Sequence, residues 1–166
     1  MNYNEKADRE QYERYKDVLG ADAPATFSDF QELKYSGATE YDELKGFYSY
    51  RGRVPEATKA DYATYKSIVA TGVSGTVRVP PRHVDFDSLQ FKDEHGKHHG
   101  CSLKDARGYI KSAKCSITRK RWDGYHTNYY ALDGATYVSD DDGVINTAFS
   151  EEDFDDITQK ILEVFK

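Results

Sequence analysis

Four of the chain's five histidines, His95, His98, His99 and His126, lie in or beside one basic segment. Imidazole titrates nearest to neutrality, so a pair of histidines on either side of a scissile phosphate can act as base and acid. In RNA the base would take the proton of the 2'-hydroxyl, which attacks its own phosphorus and expels the 5'-oxygen. That route requires no metal or other cofactor. Cations such as Arg119 and Arg121 would offset the charge that develops on the phosphoryl oxygens. Residues 97–121 hold eight Lys or Arg and one acid, Asp105, whereas residues 122–166 hold eleven Asp or Glu and two Lys. A chain of net charge -6 therefore carries one local basic surface suited to an anionic ligand, with RNA or DNA phosphates the first candidates.

Strand alternation limits which groups can share a surface. In the run from His126 to Tyr130, the even positions His126, Asn128 and Tyr130 project together. Ile145, Thr147 and Phe149 are expected to share a face as well, which leaves a polar Thr147 between two apolar neighbours. A threonine bonded to backbone accounts for this, and so does a hydroxyl facing a bound phosphate. For Asn128 and Tyr130 ordinary cross-strand packing is the competing role.

Asp93, Glu94, His95, His98 and His99 place oxygen and nitrogen ligands within seven residues. Their spacing is neither HExxH nor that of a zinc finger, so they read as a solvated polar loop. No P-loop, GxGxxG or GxSxG is present. The two cysteines, Cys101 and Cys115, have no CxxC spacing and read as free thiols in a reducing compartment. No apolar run approaches the ~18 residues of a membrane span, and residues 1–14 lack the apolar core of a signal peptide.

Two kinds of periodicity organise the chain. Residues 1–80 read as a small helical array. Tyr12, Tyr15, Val18 and Leu19 recur at helical spacing before Gly20, and Phe27, Phe30 and Leu33 follow Pro24. Tyr41, Leu44, Phe47 and Tyr48 form a third stripe behind a Thr39 cap, and Tyr62, Tyr65, Ile68 and Val69 a fourth behind Thr58. Gly72, Gly75 and Pro80-Pro81 then mark a boundary. Residues 81–166 read as an α+β domain. Ser102 and Asp105 cap a helix with Leu103, Ala106, Ile110 and Ala113 inward and Lys104, Arg107 and Lys111 on its other face. Four strand-like runs, 114–120, 126–132, 135–139 and 144–149, are separated by Asp-Gly turns, which predicts a four-stranded antiparallel sheet. Ser150 and Asp153 are expected to cap a last helix with Phe154, Ile157, Ile161, Leu162 and Phe165 buried.

The tract QYERYKDVLGADAPATFSDFQELKYSG (residues 11–37) resembles the C-terminal region of phage minor head, or head morphogenesis, proteins. Its QxxRYxxxLG and FxxFQxxKY patterns occur together. The second half resembles the phage-associated barnase/EndoU/colicin/RelE-like nuclease domain through HHGCSLKDARGYIKSAK (98–114), CSITRK, NYYALDGATYV and INTAF. The resemblance implies a toxin-like endoribonuclease fold with its site on the sheet. It places the catalytic positions on His99, Arg119, Asn128, Tyr130 and Thr147; by their charge and place in the basic segment Lys104, Arg107, Lys111 and Arg121, with His126 beside them, read as nucleic-acid binding. The resemblance also implies residence in a host bacterial cytoplasm or in the virion. The capsid-associated region that usually precedes the tract is not part of this sequence, so reassignment to another task is an expectation too. The alternative function is a non-catalytic binding protein that inhibits a host defence protein, with acidic stretches at 140–142 and 151–156 imitating phosphates, or a minor virion component.

Overall fold

The computed structural model describes residues 3–92 and 98–166. Asp93, Glu94 and His95 of the polar loop lie outside the described residues, as does the His98 side chain. By its contacts the chain forms two units, Met1–Lys59 and Ala60–Lys166, each with its own core. No helix among the described residues is long and apolar enough to cross a membrane.

The first unit consists of α1 (Tyr3–Leu19), α2 (Phe27–Ser36) and α3 (Ala38–Arg53). The expected aromatic stripes are its core: Tyr12, Tyr15 and Leu19 are buried with Phe30, Phe47 and Tyr50. Tyr12 stacks on Phe30, and Tyr15 lies nearly parallel to Tyr48 with ring centroids 4.1 Å apart. One carboxylate is buried there. Asp8 accepts hydrogen bonds from Lys34 Nζ at 2.6 Å and Tyr35 Oη at 2.5 Å, tying α1 to α2. Burial alone would raise the Asp8 pKa, but these donors and the Lys34 charge together hold it below the usual carboxylate range. The Thr39 cap is not formed. Helix α3 begins at Ala38 behind Gly37, with no side chain on its first amides.

The second unit is α+β, built on α4 (Lys59–Ala70), α5 (Leu103–Lys111), α6 (Asp156–Glu163) and a six-stranded mixed sheet. Its four central strands are antiparallel neighbours: β3 (Cys115–Arg121), β4 (Gly124–Tyr130), β5 (Gly134–Ser139) and β6 (Val144–Ser150). These match the four expected runs. The sheet is extended by β1 (Thr76–Arg78), antiparallel to β3, and by β2 (Gln90–Phe91), parallel to β6. The four-stranded antiparallel expectation is thus corrected at both edges, where runs of three and two residues are too short to show a period.

Each face of this sheet has its own core. On one face Cys115, Ile117, Tyr130, Ala135 and Phe149 pack with Ile68 of α4 and with Ile161 and Leu162 of α6. On the other, Tyr129, Val138, Ile145 and Ala148 pack with Ala106 and Ile110 of α5. Helix α5 has the expected capping box: Ser102 Oγ accepts from the Asp105 amide, and the Asp105 carboxylate accepts from the Ser102 amide. The cap of α6 differs from expectation. Residues Glu151–Asp153 form a 3-10 turn, and Asp155 accepts from the Thr158 amide at 2.8 Å. With that start Thr158, Ile161 and Leu162 are buried, and Ile157 is 55% exposed.

A bulge in β6 corrects the expected Ile145/Thr147/Phe149 row. Tyr137 is opposite Thr147 but Val138 is opposite Ile145, so Asn146 is an extra residue. Ile145 therefore enters the α5-side core while Phe149 enters the α6-side core. Thr147 lies at the point where β6 changes faces.

Candidate functional site

The α6-side face changes character along its strands. At one end Cys115, Tyr130, Ala135 and Phe149 form an apolar row. The next row reads Ile117, Asn128, Tyr137 and Thr147, and the one beyond it Arg119, His126 and Ser139. Helices cover the apolar end, leaving the polar end as the candidate site.

His126 is its best-positioned group. Its Nε2 is 2.8 Å from Asp123 Oδ1, and its Nδ1 is 3.0 Å from Asn146 Nδ2. In this arrangement the Asn146 amide donates to Nδ1, and the Nε2 proton is directed at Asp123. The hydrogen bond from His126 is the main cause holding the Asp123 carboxyl below the usual carboxylate range. The imidazole is 13% exposed, which leaves it open to solvent along one edge. Directly across the strand pair is Arg119. Opposed residues of this kind have Cβ atoms about 5 Å apart. The Arg119 Nε donates to Ser74 Oγ at 3.3 Å, and among the described residues no carboxylate pairs with it. Gly75, at φ 106, allows that approach, because a Cβ there would lie 2.8 Å from Arg119 Cγ and 2.9 Å from Thr118 O.

Asn128 and Tyr130 share this face but are 9% and 2% exposed, and the Asn128 amide donates to Tyr130 Oη at 3.1 Å. Thr147 is half-buried on the same face. His99 is exposed, in a left-handed conformation at φ 52, with its ring edge-on to Phe149 at 5.9 Å. Phe149 belongs to β6, three strand spacings from β3, so roughly 14 Å separates that strand from Arg119's. His99 therefore borders the apolar row, and His126 is the histidine beside Arg119.

The cations of α5 are elsewhere. Helix α5 packs on the opposite face, because its apolar stripe fits Val138, Ile145 and Ala148. Lys104 and Lys111 are exposed there, and Arg107 donates through Nε and Nη2 to the single carbonyl of Leu89, at 3.0 and 2.6 Å. The α5 cations therefore lie on the other side of the sheet from Arg119 and His126. Arg121 is exposed at the β3–β4 turn, on the edge of the polar row.

Two members of the site were not anticipated. Asp123 reads in sequence as a turn former before Gly124, yet it orients His126 from three residues away. Asn146 reaches His126 only because of the bulge, which a period-two reading cannot reveal. Among the described residues no group of three or more His, Cys, Asp or Glu could hold a metal ion. Comparison of the chain with protein-family models, curated proteins and solved structures found no match.

Proposed function

We propose that Ala60–Lys166 is a metal-independent endoribonuclease-like domain of a phage or mobile-element protein, with its site on the polar end of the α6-side face. The observation that carries the reading is the cross-strand pairing of Arg119 with a histidine oriented by a carboxylate. His126 Nδ1 is the base. A substrate 2'-hydroxyl takes the place of the Asn146 amide and gives up its proton to Nδ1 as its oxygen bonds to phosphorus. The bond from phosphorus to the 5'-oxygen breaks, and that oxygen is protonated by water. Asp123 stabilises the imidazolium, and Arg119 faces the phosphoryl oxygens. The sequence patterns shared with the phage-associated nuclease group support the same assignment.

Single-stranded RNA incubated with the protein in EDTA is expected to yield cyclic-phosphate ends. Cleavage that disappears with chelator and returns with a divalent ion would overturn the proposal. A second reading, a non-catalytic protein binder, is favoured by one observation. Two hairpin turns bring Asp123 and Asp141 to the same end of the sheet, where a Cβ on Gly124 would collide with the Asp141 carboxylate. Co-purification of one stoichiometric host protein, with no affinity for RNA, would establish that reading instead.

A further inference from the structure

Trp122 is the chain's single tryptophan, and it is 96% exposed at the tip of the β3–β4 hairpin. Large aromatics usually bury much of their surface, so a ring with almost none of it covered lacks a structural role within the described residues. Its surroundings are basic and aromatic. Lys120 and Arg121 precede it on exposed positions, and Tyr125, 49% exposed, has Lys120 Nζ 5.7 Å from its ring centroid. Of the nearby acids, Asp123 is bonded to His126, while Asp141 is exposed and lies close to Gly124. The Arg121–Gly124 pair that closes the hairpin is two register positions from Arg119–His126, roughly 7 Å along the strands.

We infer that Trp122 is a stacking platform for an unpaired nucleobase, which makes single-stranded RNA, and not duplex, the substrate class of the site. The inference rests on the endoribonuclease-like reading and deepens it. A base-paired duplex already stacks its bases on one another, whereas a single strand presents free base faces to an aromatic ring. Arg121, in phase with Arg119 on the strand, holds the adjoining phosphate, and the turn that carries Trp122 also carries Asp123. A base docked on the ring thus sets the strand in register with His126.

Because no other tryptophan is present, emission excited beyond the absorption of the chain's 14 tyrosines reports on this ring alone. A 2'-O-methyl oligonucleotide lacks the attacking hydroxyl and stays intact during titration. The single strand is expected to quench the emission, while the matched duplex and inorganic polyphosphate leave it unchanged. In anisotropy titrations of the same labelled strand, Trp122→Ala is expected to weaken binding about tenfold, and Trp122→Phe to retain most of the affinity. Binding of the single strand with unaltered emission, or equal quenching by duplex, overturns the stacking role and leaves the endoribonuclease reading standing. Absence of any binding to either strand form, by emission or anisotropy, overturns both.

Discussion

The polar end of the second unit's sheet carries charged and hydroxyl side chains on both faces, and the two faces use them differently. On the α5 side most of the groups satisfy one another, although the buried Tyr129 hydroxyl beside them has no hydrogen-bond partner among the described residues. Arg82 Nη1 is 2.7 Å from Asp140 Oδ2, Thr127 donates to the same oxygen at 2.7 Å, and Thr118 meets Thr127 at 2.8 Å. Ser116 Oγ accepts from the Arg82 amide at 2.8 Å. On the α6 side the carboxylate is bonded to a histidine, and among the described residues the neighbouring arginine bonds a serine hydroxyl and no carboxylate. A closed arginine–carboxylate network holds a fold together, whereas an arginine without a carboxylate beside an oriented imidazole is available to an incoming anion. Residue composition alone would not separate these two clusters.

Substitutions can break that contrast or sharpen it. The largest effect is expected for His126→Ala, which should lower RNA cleavage by about 10²–10⁴-fold with little change in the urea midpoint. An equal loss in His99→Ala would shift the site toward β6. Next, Asp140→Ala should cost about 2 kcal/mol of stability in urea titrations while cleavage per folded molecule is retained. The figure lies below that for a fully buried ion pair because Arg82 is half exposed. Asp155→Ala, which removes the α6 cap from the helix that covers the apolar row, should cost about 1 kcal/mol, again without a selective effect on cleavage. The smallest effect concerns pH. Since its folded-state pKa is lowered, Asp123 contributes stability above its unfolded value of about 3.9, and that contribution is lost as pH falls through the folded value. Urea titrations of Asp123→Asn should show the difference from wild type narrowing across that acid window. A constant difference would mean that the Asp123–His126 bond is not formed in solution.

Local signals in the sequence located most of the second unit. The Ser102/Asp105 box fixed the start of α5, and the Asp-Gly turns separated four strands whose order on the chain is also their order in the sheet. The edge strands stayed hidden, because Thr76–Arg78 and Gln90–Phe91 are held by pairing with β3 and β6 and not by any pattern of their own. The site was half legible for a related reason. Alternation grouped His126, Asn128 and Tyr130 correctly, but the burial of Asn128 and Tyr130 depends on α6, and the side of the sheet taken by α5 is decided by long-range packing. His99 illustrates the limit. The resemblance puts it among the catalytic positions, and the strand order sets it beside the apolar row at Phe149.

The supernumerary residue in β6 has a consequence for how this domain can vary. Because Asn146 is the added residue, excising it would restore strict alternation with Thr147 still opposite Tyr137 and Ile145 still opposite Val138, so the helix-α5 core would keep its aliphatic. A single-codon deletion would thus remove the imidazole's amide partner and leave both hydrophobic layers filled. The insertion answers to the histidine and not to the packing of the domain.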